Sequence, residues 1–504
     1  MTKKIIKFIR KNWLIILIWL IGLFLRCYRQ NDLLGFYYDQ GRDAQMAQDI
    51  LSASNFPAIG PTTGIQGLLL GPFWFYLITP GYLLAKGDPA IASLFICFLE
   101  SLTIPLLFVL IKKNWNSKAA YLAAFIWAFS YYLIKSSRWF SNPSPLPFFV
   151  ILMIFLLVAI YRDKKTKYWP LVAFILGLTI QLEAASAVFF IPTIGILVLL
   201  NLKKTFTETK ISTWLKSIAA FCFLLLPQLA FEIKNNFIIS KSFFGFLSGK
   251  VNSDTGKTWA FPTIKFLERR IPEFYHIFFS KLDTNITAFS LVFLVIFLIG
   301  LFFLFKKHFR KNYLVQISLL WFIVPLCFLI FFVGNYGVLY DYYLTGFFVA
   351  FIILVSLVIC WSKNIFFKLL LIVFALYFYL GNIPFIKIFL NSGIDGPENI
   401  VYGNEIKAVD FICQQTLDKP YNLDIYVPPV IPHAYDYLFD WRVRQNKCTK
   451  PSLENVDLIY NLIEVDPPHP ERLDSWLQNQ NHIGTIESVN QFGGVYVQQR
   501  QRSK

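Results

Sequence analysis

The chain has 504 residues, of which 56% are hydrophobic and only 15% are charged, with a formal net charge of +17. A soluble domain carries about 25% charged residues, so this composition excludes an ordinary soluble enzyme and indicates an integral helical membrane protein. The positive charges lie in short loops between apolar runs, which is a signal of membrane topology and not of a surface that binds nucleic acid.

Apolar runs that match the thickness of a bilayer core predict about 11 transmembrane helices. These runs lie at 13–25, 89–111, 119–134, 145–160, 169–181, 184–200, 213–231, 286–305, 313–333, 343–360 and 365–382. Lys and Arg cluster at alternate ends of the runs, so the positive-inside rule predicts a multi-pass protein of the cell (plasma or inner) membrane with a cytoplasmic N-terminus. For this alternation to hold, 169–200 must form a hairpin with its tip near Glu183, and 68–86 must be interfacial.

The predicted topology leaves three larger pieces outside the membrane, which are 26–88, 232–285 and the tail from about 383. We predict a membrane-embedded catalytic domain over 1–390 and an extracytoplasmic α/β domain over 391–504, because the tail changes abruptly to charged residues and Pro-rich turns. The strand-like runs of the tail lie at 423–427, 458–465 and 494–497, and its helical runs at 405–417 and 471–478. Cys413 and Cys448 are the only cysteines of the tail, so a location outside the membrane predicts a disulfide between them.

A short acidic motif follows the first apolar run, in the sequence Gly35-Phe-Tyr-Tyr-Asp-Gln-Gly-Arg-Asp43. Asp39 and Asp43 are four residues apart, so on a helix they share one face, with Arg42 beside them. One interpretation is a solvated helix start whose charges neutralise each other. The aromatic residues before the pair and its position against the bilayer favour a functional site, because ionisable groups near lipid carry desolvation costs. We predict Asp39, or in its place Asp43, to be a catalytic base.

Other polar residues at the predicted outer ends of the spans are candidates for a substrate pocket. They are Tyr38, Asn142, Glu183, Asp341 and Tyr342. Arg42 and Arg138 are the candidate cations for a phosphate group, because the planar guanidinium binds phosphate with two parallel hydrogen bonds. An interfacial anchor beside Trp139 is the alternative interpretation of Arg138. Glu100, near mid-membrane, is either protonated and hydrogen-bonded within the bundle or part of a polar pathway.

Over about 1–390 the chain resembles the GT-C glycosyltransferases. The features that carry the resemblance are the basic N-terminus, the single first span, the long outer loop that opens with the aromatic-Asp motif, and the sequence Gly71-Pro-Phe-Trp-Phe-Tyr76. The most similar group is the branch that uses polyprenol-phosphate sugars and includes protein O-mannosyltransferases and the lipid A aminoarabinose transferase. The resemblance assigns the family's catalytic aspartate to Asp39. Gln40 stands where the family usually has Glu, so the second acid is missing or its role lies with Asp43.

The resemblance implies an inverting transfer of a sugar from a polyprenyl-phosphate-linked donor to an extracytoplasmic acceptor hydroxyl or amine, with a lipid, glycan or protein as acceptor and no nucleic-acid partner. It assigns no certain cofactor, and the residues predict no metal site, so a divalent metal is only an alternative. A transporter or flippase of lipid-linked saccharides is a second possible function, because such proteins place polar groups at mid-membrane as Glu100 is placed. A catalytically inactive scaffold is a third, because of Gln40. The tail is predicted to help choose or hold the acceptor rather than to supply the base, and a solubilising appendage is the alternative interpretation.

Overall fold

The structure is a computed structural model that describes residues 2–64, 67–248, 259–333, 338–428 and 431–503. Part of the predicted outer loop 232–285 therefore lies outside the described residues. Within the described ranges a large bundle of apolar helices is followed by a smaller unit of mixed helix and strand.

The bundle begins near the N-terminus and ends at Asn391. Its described helices are α1 Thr2–Cys27, α2 Gln30–Leu33, α3 Tyr38–Leu51, α4 Phe73–Leu84, α5 Pro89–Ser101, α6 Thr103–Asn114, α7 Ser117–Phe129, α8 Tyr131–Arg138, α9 Leu146–Asp163, α10 Trp169–Leu182, α11 Ala184–Ala187, α12 Phe190–Leu200, α13 Leu202–Glu208, α14 Ile211–Lys234, α15 Ile238–Leu247, α16 Ile264–Phe279, α17 Ala288–His308, α18 Tyr313–Leu329, α19 Phe348–Ile359 and α20 Ile365–Asn391. Short 3-10 helices cover Thr166–Tyr168 and Asp341–Phe347.

Each predicted apolar run is largely helical, which confirms the multi-pass helical class. Seven helical stretches in the described part of the chain are long and apolar enough to span a membrane, and they are Arg10–Leu33, Pro89–Asn114, Leu146–Asp163, Ile211–Lys234, Ala288–His308, Asp341–Ile359 and Ile365–Asn391. The stretch Ala184–Leu200, which contains α11 and α12, is bent by 88° against α13, Leu202–Glu208. If these stretches count as one broken span, the number of candidate spans is eight. The count of 11 spans stays a prediction. Helix α4, inside the predicted interfacial stretch 68–86, has 12 residues and is too short to cross a bilayer core alone.

A buried ion pair lies inside the bundle between α1 and α5. The Nε atom of Arg26 lies 2.6 Å from Oε2 of Glu100, and both side chains are almost fully buried. The indole N–H of Trp127 donates to the other oxygen of Glu100 at 2.8 Å. Both carboxylate oxygens of Glu100 are therefore occupied within the bundle, as the first alternative predicts, but by an ion pair with Arg26 and a bond from Trp127 rather than by the hydrogen bonds of a protonated carboxyl.

The tail forms a small α/β unit, as predicted. Its elements are α21 Tyr402–Gln415, β1 Asn422–Tyr426, α22 His433–Arg444, β2 Leu458–Glu464, α23 Pro470–Ile483, β3 Gly484–Phe492 and β4 Val495–Arg502. The strand order is β1-β2-β4-β3, with β1 parallel to β2 and β4 antiparallel to both β2 and β3. The three predicted strand-like runs correspond to β1, β2 and β4, whereas α22 and β3 were not predicted.

The predicted disulfide between Cys413 and Cys448 is confirmed, with a distance of 4.5 Å between the two Cα atoms. It ties α21 to the segment that follows α22. Replacing both cysteines with Ala is expected to lower the free energy of unfolding of the tail by about 3–4 kcal/mol, because the bond closes a loop of 35 residues. Thermal unfolding and limited proteolysis of the full chain measure this effect. Cys222→Ala, which changes an exposed free cysteine of α14, is the control. Equal protease resistance in all three proteins would contradict the prediction.

The tail packs directly on segment 26–88. The ring of Phe36 is fully buried and lies 6.0 Å from the rings of both Tyr402 and Tyr437. The hydroxyl of Tyr437 donates to the carbonyl of Gly87 at 2.7 Å, and the backbone N–H of Tyr402 donates to the carbonyl of Leu34 at 2.9 Å. The tail and segment 26–88 therefore lie on the same side of the helical bundle. Their location outside the cell stays a prediction.

Candidate functional site

The acidic motif forms the first turns of α3. Tyr37, the residue before the helix, has extended backbone, and the side-chain oxygen of Gln40 accepts a hydrogen bond from its N–H at 3.1 Å. This bond satisfies one of the backbone donors that a helix start leaves free. The helix places Asp39, Arg42 and Asp43 on one face, as their spacing predicts.

Arg42 lies between the two aspartates. Its Nη1 atom is 2.9 Å from Oδ1 of Asp39, and its Nε and Nη2 atoms donate to Oδ1 of Asp43 at 2.9 and 2.7 Å. The two carboxylates differ in environment, since the side chain of Asp39 is 57% exposed and that of Asp43 is 4% exposed. Asp39 is thus open to a substrate, whereas Asp43 fixes the orientation of Arg42 from beneath.

Asp43 is held in the interior by a residue that was not predicted. The indole N–H of Trp74, on α4, donates to Oδ2 of Asp43 at 2.6 Å, and the Trp74 side chain is fully buried. Burial raises the pKa of Asp43 to about 6, while the contacts with Arg42 and Trp74 oppose this shift. A carboxyl whose pKa lies near neutrality is typical of catalytic sites.

Gln40, which occupies the position of the family's second acid, has a structural role here. It is buried, and its Nε2 atom donates to the backbone carbonyl of Phe140 at 3.2 Å. The side chain of an ionised glutamate has no hydrogen-bond donor for this carbonyl. The centres of the Phe140 and Trp74 rings lie 5.8 Å apart. Phe140 therefore connects the acidic motif to the loop that follows α8.

Three of the predicted pocket residues converge around this same loop. Asn142 donates from Nδ2 to the carbonyl of Leu182, next to the buried Glu183 that caps the N-terminus of α11. The ring of Tyr342 lies 6.1 Å from that of Trp139, and the carbonyl of the next residue, Tyr343, accepts a hydrogen bond from the hydroxyl of Ser186 on α11 at 2.6 Å. The structure therefore brings Asn142, Glu183 and Tyr342 into one neighbourhood, joined to the acidic motif through residues 139–142.

Asp341 forms an ion pair with Lys281, a residue that was not predicted to belong to the site. Its Oδ1 atom lies 2.9 Å from Nζ of Lys281, whose side chain is 1% exposed, whereas that of Asp341 is 52% exposed. The ammonium group also lies 4.6 Å from the centre of the Phe348 ring and 5.1 Å from that of Tyr132. The sequence signal for Lys281 was its position at the end of the predicted outer loop 232–285, directly before an apolar run.

Arg138 lies against the end of α1 and against α20. Its side chain is buried, and Nη1 donates to the backbone carbonyls of Leu25, Arg26 and Tyr28 at 3.2, 2.9 and 2.7 Å. The guanidinium group also stacks over the ring of Phe389 at 4.5 Å. It thereby satisfies carbonyls that are left free at the end of α1. The geometry favours the anchoring interpretation of Arg138 over contact with a phosphate.

The tail contributes a side chain to the edge of the motif. The imidazole ring of His433, at the start of α22, lies 4.7 Å from the ring of Tyr38, and Tyr38 lies 6.0 Å from the guanidinium carbon of Arg42. Helix α22 comes this close because Gly41 has no side chain. A Cβ atom at that position would lie 2.3 Å from the backbone of His433 and Ala434.

No group of three or more His, Cys, Asp or Glu side chains is placed to hold a metal ion within the described ranges. At the motif, both aspartates instead contact the guanidinium of Arg42. The acidic motif is therefore an ion-pair network of one arginine and two carboxylates.

Activity is expected to fall as the pH drops through about 6, because protonation of Asp43 removes the charge that orients Arg42. The acid limb should disappear in Asp43→Asn, with a lower rate at every pH.

The pKa of Asp43 lies above its ordinary value of 3.8, so the folded state binds this proton more tightly than the unfolded chain. This group therefore makes the protein more stable, not less, as the pH falls from about 6 to 4. A pH profile of kcat/KM beside a thermal unfolding series separates lost activity from unfolding, and a flat wild-type profile between pH 5 and about 8 would contradict the prediction.

Residues 70–231 match the family model described as dolichyl-phosphate-mannose-protein mannosyltransferase. The fold is similar to that of ArnT from Cupriavidus metallidurans bound to undecaprenyl phosphate, with a TM-score of 0.59, 11% identity, and coverage of 97% of this chain and 98% of that chain. The same ArnT in the apo state gives a TM-score of 0.56 at 12% identity with the same coverage. A comparison with curated protein sequences gave no match. The chain is therefore a multi-pass membrane protein of the GT-C fold, and residues 70–231 match a mannosyltransferase family model.

Proposed function

We propose that the protein is a membrane glycosyltransferase that moves a sugar from a polyprenyl-phosphate-linked donor to a hydroxyl or amine of an extracytoplasmic acceptor, by an inverting single displacement. The observation that carries the proposal is the arrangement of Asp39, Arg42 and Asp43 on α3, with one carboxylate open and the other buried. The family match over 70–231 and the GT-C fold support this class of enzyme and of donor.

Asp39 is the general base in this mechanism. Its exposed carboxylate accepts the proton of the acceptor hydroxyl while the acceptor oxygen attacks the anomeric carbon. The bond between that carbon and the phosphate oxygen breaks on the opposite face of the sugar, and its electron pair leaves with the polyprenyl phosphate. The configuration at the anomeric carbon is therefore inverted. An amine acceptor reacts in the same way and loses its proton to the same carboxylate.

Arg42 is the cation that stabilises the negative charge of the departing phosphate. A guanidinium has five N–H donors, and the contacts with Asp39 and Asp43 occupy three of them. The two remaining donors suit two phosphate oxygens. Asp43 is a positioning residue, because it touches Arg42 and Trp74 and is buried away from solvent. Lys281, with its exposed partner Asp341, is a second cation on the loops around the site.

The transporter alternative loses its main support in the structure. Glu100, which suggested a polar pathway at mid-membrane, is paired with Arg26 and hydrogen-bonded to Trp127. The exposed acidic groups of the candidate site lie instead in segment 26–88 and in the loop that carries Asp341. This distribution suits chemistry at the membrane surface better than passage through the bundle.

The test is release of sugar from lipid donors by the purified full-length protein in detergent. A panel of polyprenyl phosphates carrying different radiolabelled hexoses and pentoses is supplied, first with water alone and then with membrane extract as the source of acceptor. We expect slow hydrolysis of at least one donor, faster transfer with extract, and inversion at the anomeric carbon by NMR. Movement of an intact donor across proteoliposomes without cleavage would establish the transporter instead. Donor binding without cleavage under both conditions would establish the inactive scaffold.

A further inference from the structure

A polar cleft of about 420 Å³ opens in the tail, apart from the acidic motif. It is lined by Asp395, Pro397, Asn404, Lys407, Gln491, Phe492 and Gly493. These residues belong to the connection after α20, to the start of α21 and to the turn between β3 and β4. Its volume falls in the range of clefts that hold small ligands, and its lining is mostly polar.

One lining residue, Asn404, has an unused hydrogen-bond acceptor. Its side chain is 1% exposed, and its Nδ2 atom donates to the carbonyls of Ile394 and Asn399, both at 2.8 Å. Because both of these partners are acceptors, the orientation of the amide is fixed. Its Oδ1 atom is buried and has no partner among the described residues. Buried polar atoms are almost always paired, so this oxygen calls for a donor that the described chain does not supply.

The exposed lining groups define which class of ligand suits the cleft. Lys407 and Asp395 are exposed and carry opposite charges, and the ring of Phe492 is half-buried beside them. A saccharide matches this set, because each hydroxyl both donates and accepts hydrogen bonds and the apolar face of the ring packs on an aromatic side chain.

The cleft is connected to the acidic motif by a single short segment. Ile400 lies in the chain between the lining residues Pro397 and Asn404, and its carbonyl accepts a hydrogen bond from the hydroxyl of Tyr37 at 3.1 Å. Tyr37 is the residue directly before α3 and its aspartate Asp39. A ligand in the cleft is therefore held on the same outer assembly that carries the candidate base.

We propose that this cleft binds a saccharide portion of the acceptor, so that the acceptor is a glycan or a glycolipid whose attacking group lies at the motif. The role of the bound saccharide as an acceptor rests on the proposed function. Binding of a saccharide in the cleft rests only on the residues that line the cleft. Specificity for the acceptor then belongs to the tail, and the chemistry belongs to α3.

The test compares two double variants that each remove one positive and one negative charge. The cleft variant is Lys407→Ala with Asp395→Ala. The control is Lys419→Ala with Asp424→Ala, which changes exposed residues beyond the far end of α21 and on the opposite edge strand β1. Full-length proteins in detergent are applied to a printed array of bacterial, archaeal and eukaryotic surface oligosaccharides, and hydrolysis of the lipid donor by water is measured in parallel.

Wild type and control are expected to bind the same class of oligosaccharide, and the cleft variant to bind it at least tenfold more weakly while hydrolysing donor at the wild-type rate. Failure of wild type to bind any oligosaccharide, or equal binding by the cleft variant, overturns the proposal. Loss of donor hydrolysis in the cleft variant alone also overturns it, because the residues then act on the motif. Binding that depends on the cleft in a protein that cleaves no donor supports the saccharide site and refutes the proposed enzyme.

Discussion

Asp39→Asn is expected to lower the rate of sugar transfer by about 10²-fold or more, because it removes the base that accepts the acceptor proton. The substitution keeps the size of the side chain, and the site is 57% exposed, so the fold is expected to persist. The measurement is kcat for transfer from the lipid donor, with donor binding measured separately. Donor affinity is expected to change much less than kcat, since the carboxylate acts on the acceptor.

Asp32, on the preceding helix α2, provides a matched control. Asp32 pairs with Arg29 at 2.9 Å and at the same spacing of three residues, and its side chain is 43% exposed. Asp32→Asn therefore removes an equivalent ion pair outside the motif and is expected to leave kcat unchanged. A fully active Asp39→Asn protein beside an inactive Asp43→Asn protein would assign the base to Asp43.

Gly41→Ala is expected to cost about 10²-fold in transfer, the effect of a displacement of about 1 Å in an active site. The added methyl would lie 2.3 Å from the backbone of His433 and Ala434, so α3 and α22 must move apart. Transfer and donor hydrolysis should both fall, and proteases should cut the junction before α21 more readily. Removing the tail is a poorer test, because it also uncovers the buried ring of Phe36.

The control for this substitution is Gly64→Ala. Gly64 belongs to the same segment 26–88, and a Cβ atom there meets no atom of the described residues within 4 Å. Wild-type transfer is expected in this variant. If Gly41→Ala also retains wild-type transfer and protease resistance, then close packing of the tail on α3 is not needed for the site.

The bundle was predictable because apolar runs and basic loops follow from the chemistry of the bilayer alone. Helix α22 was not, since Pro428 and Pro432 beside it indicated only turns. Its buried face, with Tyr435, Leu438 and Phe439 at helical spacing, is a short pattern in a polar context. Strand β3 was missed because most of its side chains are exposed at the edge of the sheet and give no alternation.

The motif itself was predictable from local spacing, because Asp39, Arg42 and Asp43 are neighbours on one helix. The contacts that position it were not, since Trp74 and Phe140 reach it from other elements, and His433 reaches Tyr38 from the tail. Arg138 was predicted from its charge and depth, and no local pattern indicates that the carbonyls of Leu25, Arg26 and Tyr28, at the end of α1 and just after it, surround its Nη1 atom.

The burial of Phe36 between Tyr402 and Tyr437 has a consequence for how the protein is made. Roughly 370 residues separate Phe36 from Tyr402, so at 5–20 residues per second the ribosome needs about 20–70 s after α3 to complete the first part of its cover. During that interval the aromatic side chain is exposed to any chaperone or neighbouring chain on that side of the membrane. A nascent chain that stalls before α21 carries the acidic motif and lacks its cover, so the candidate site becomes complete only after α22 has been synthesised.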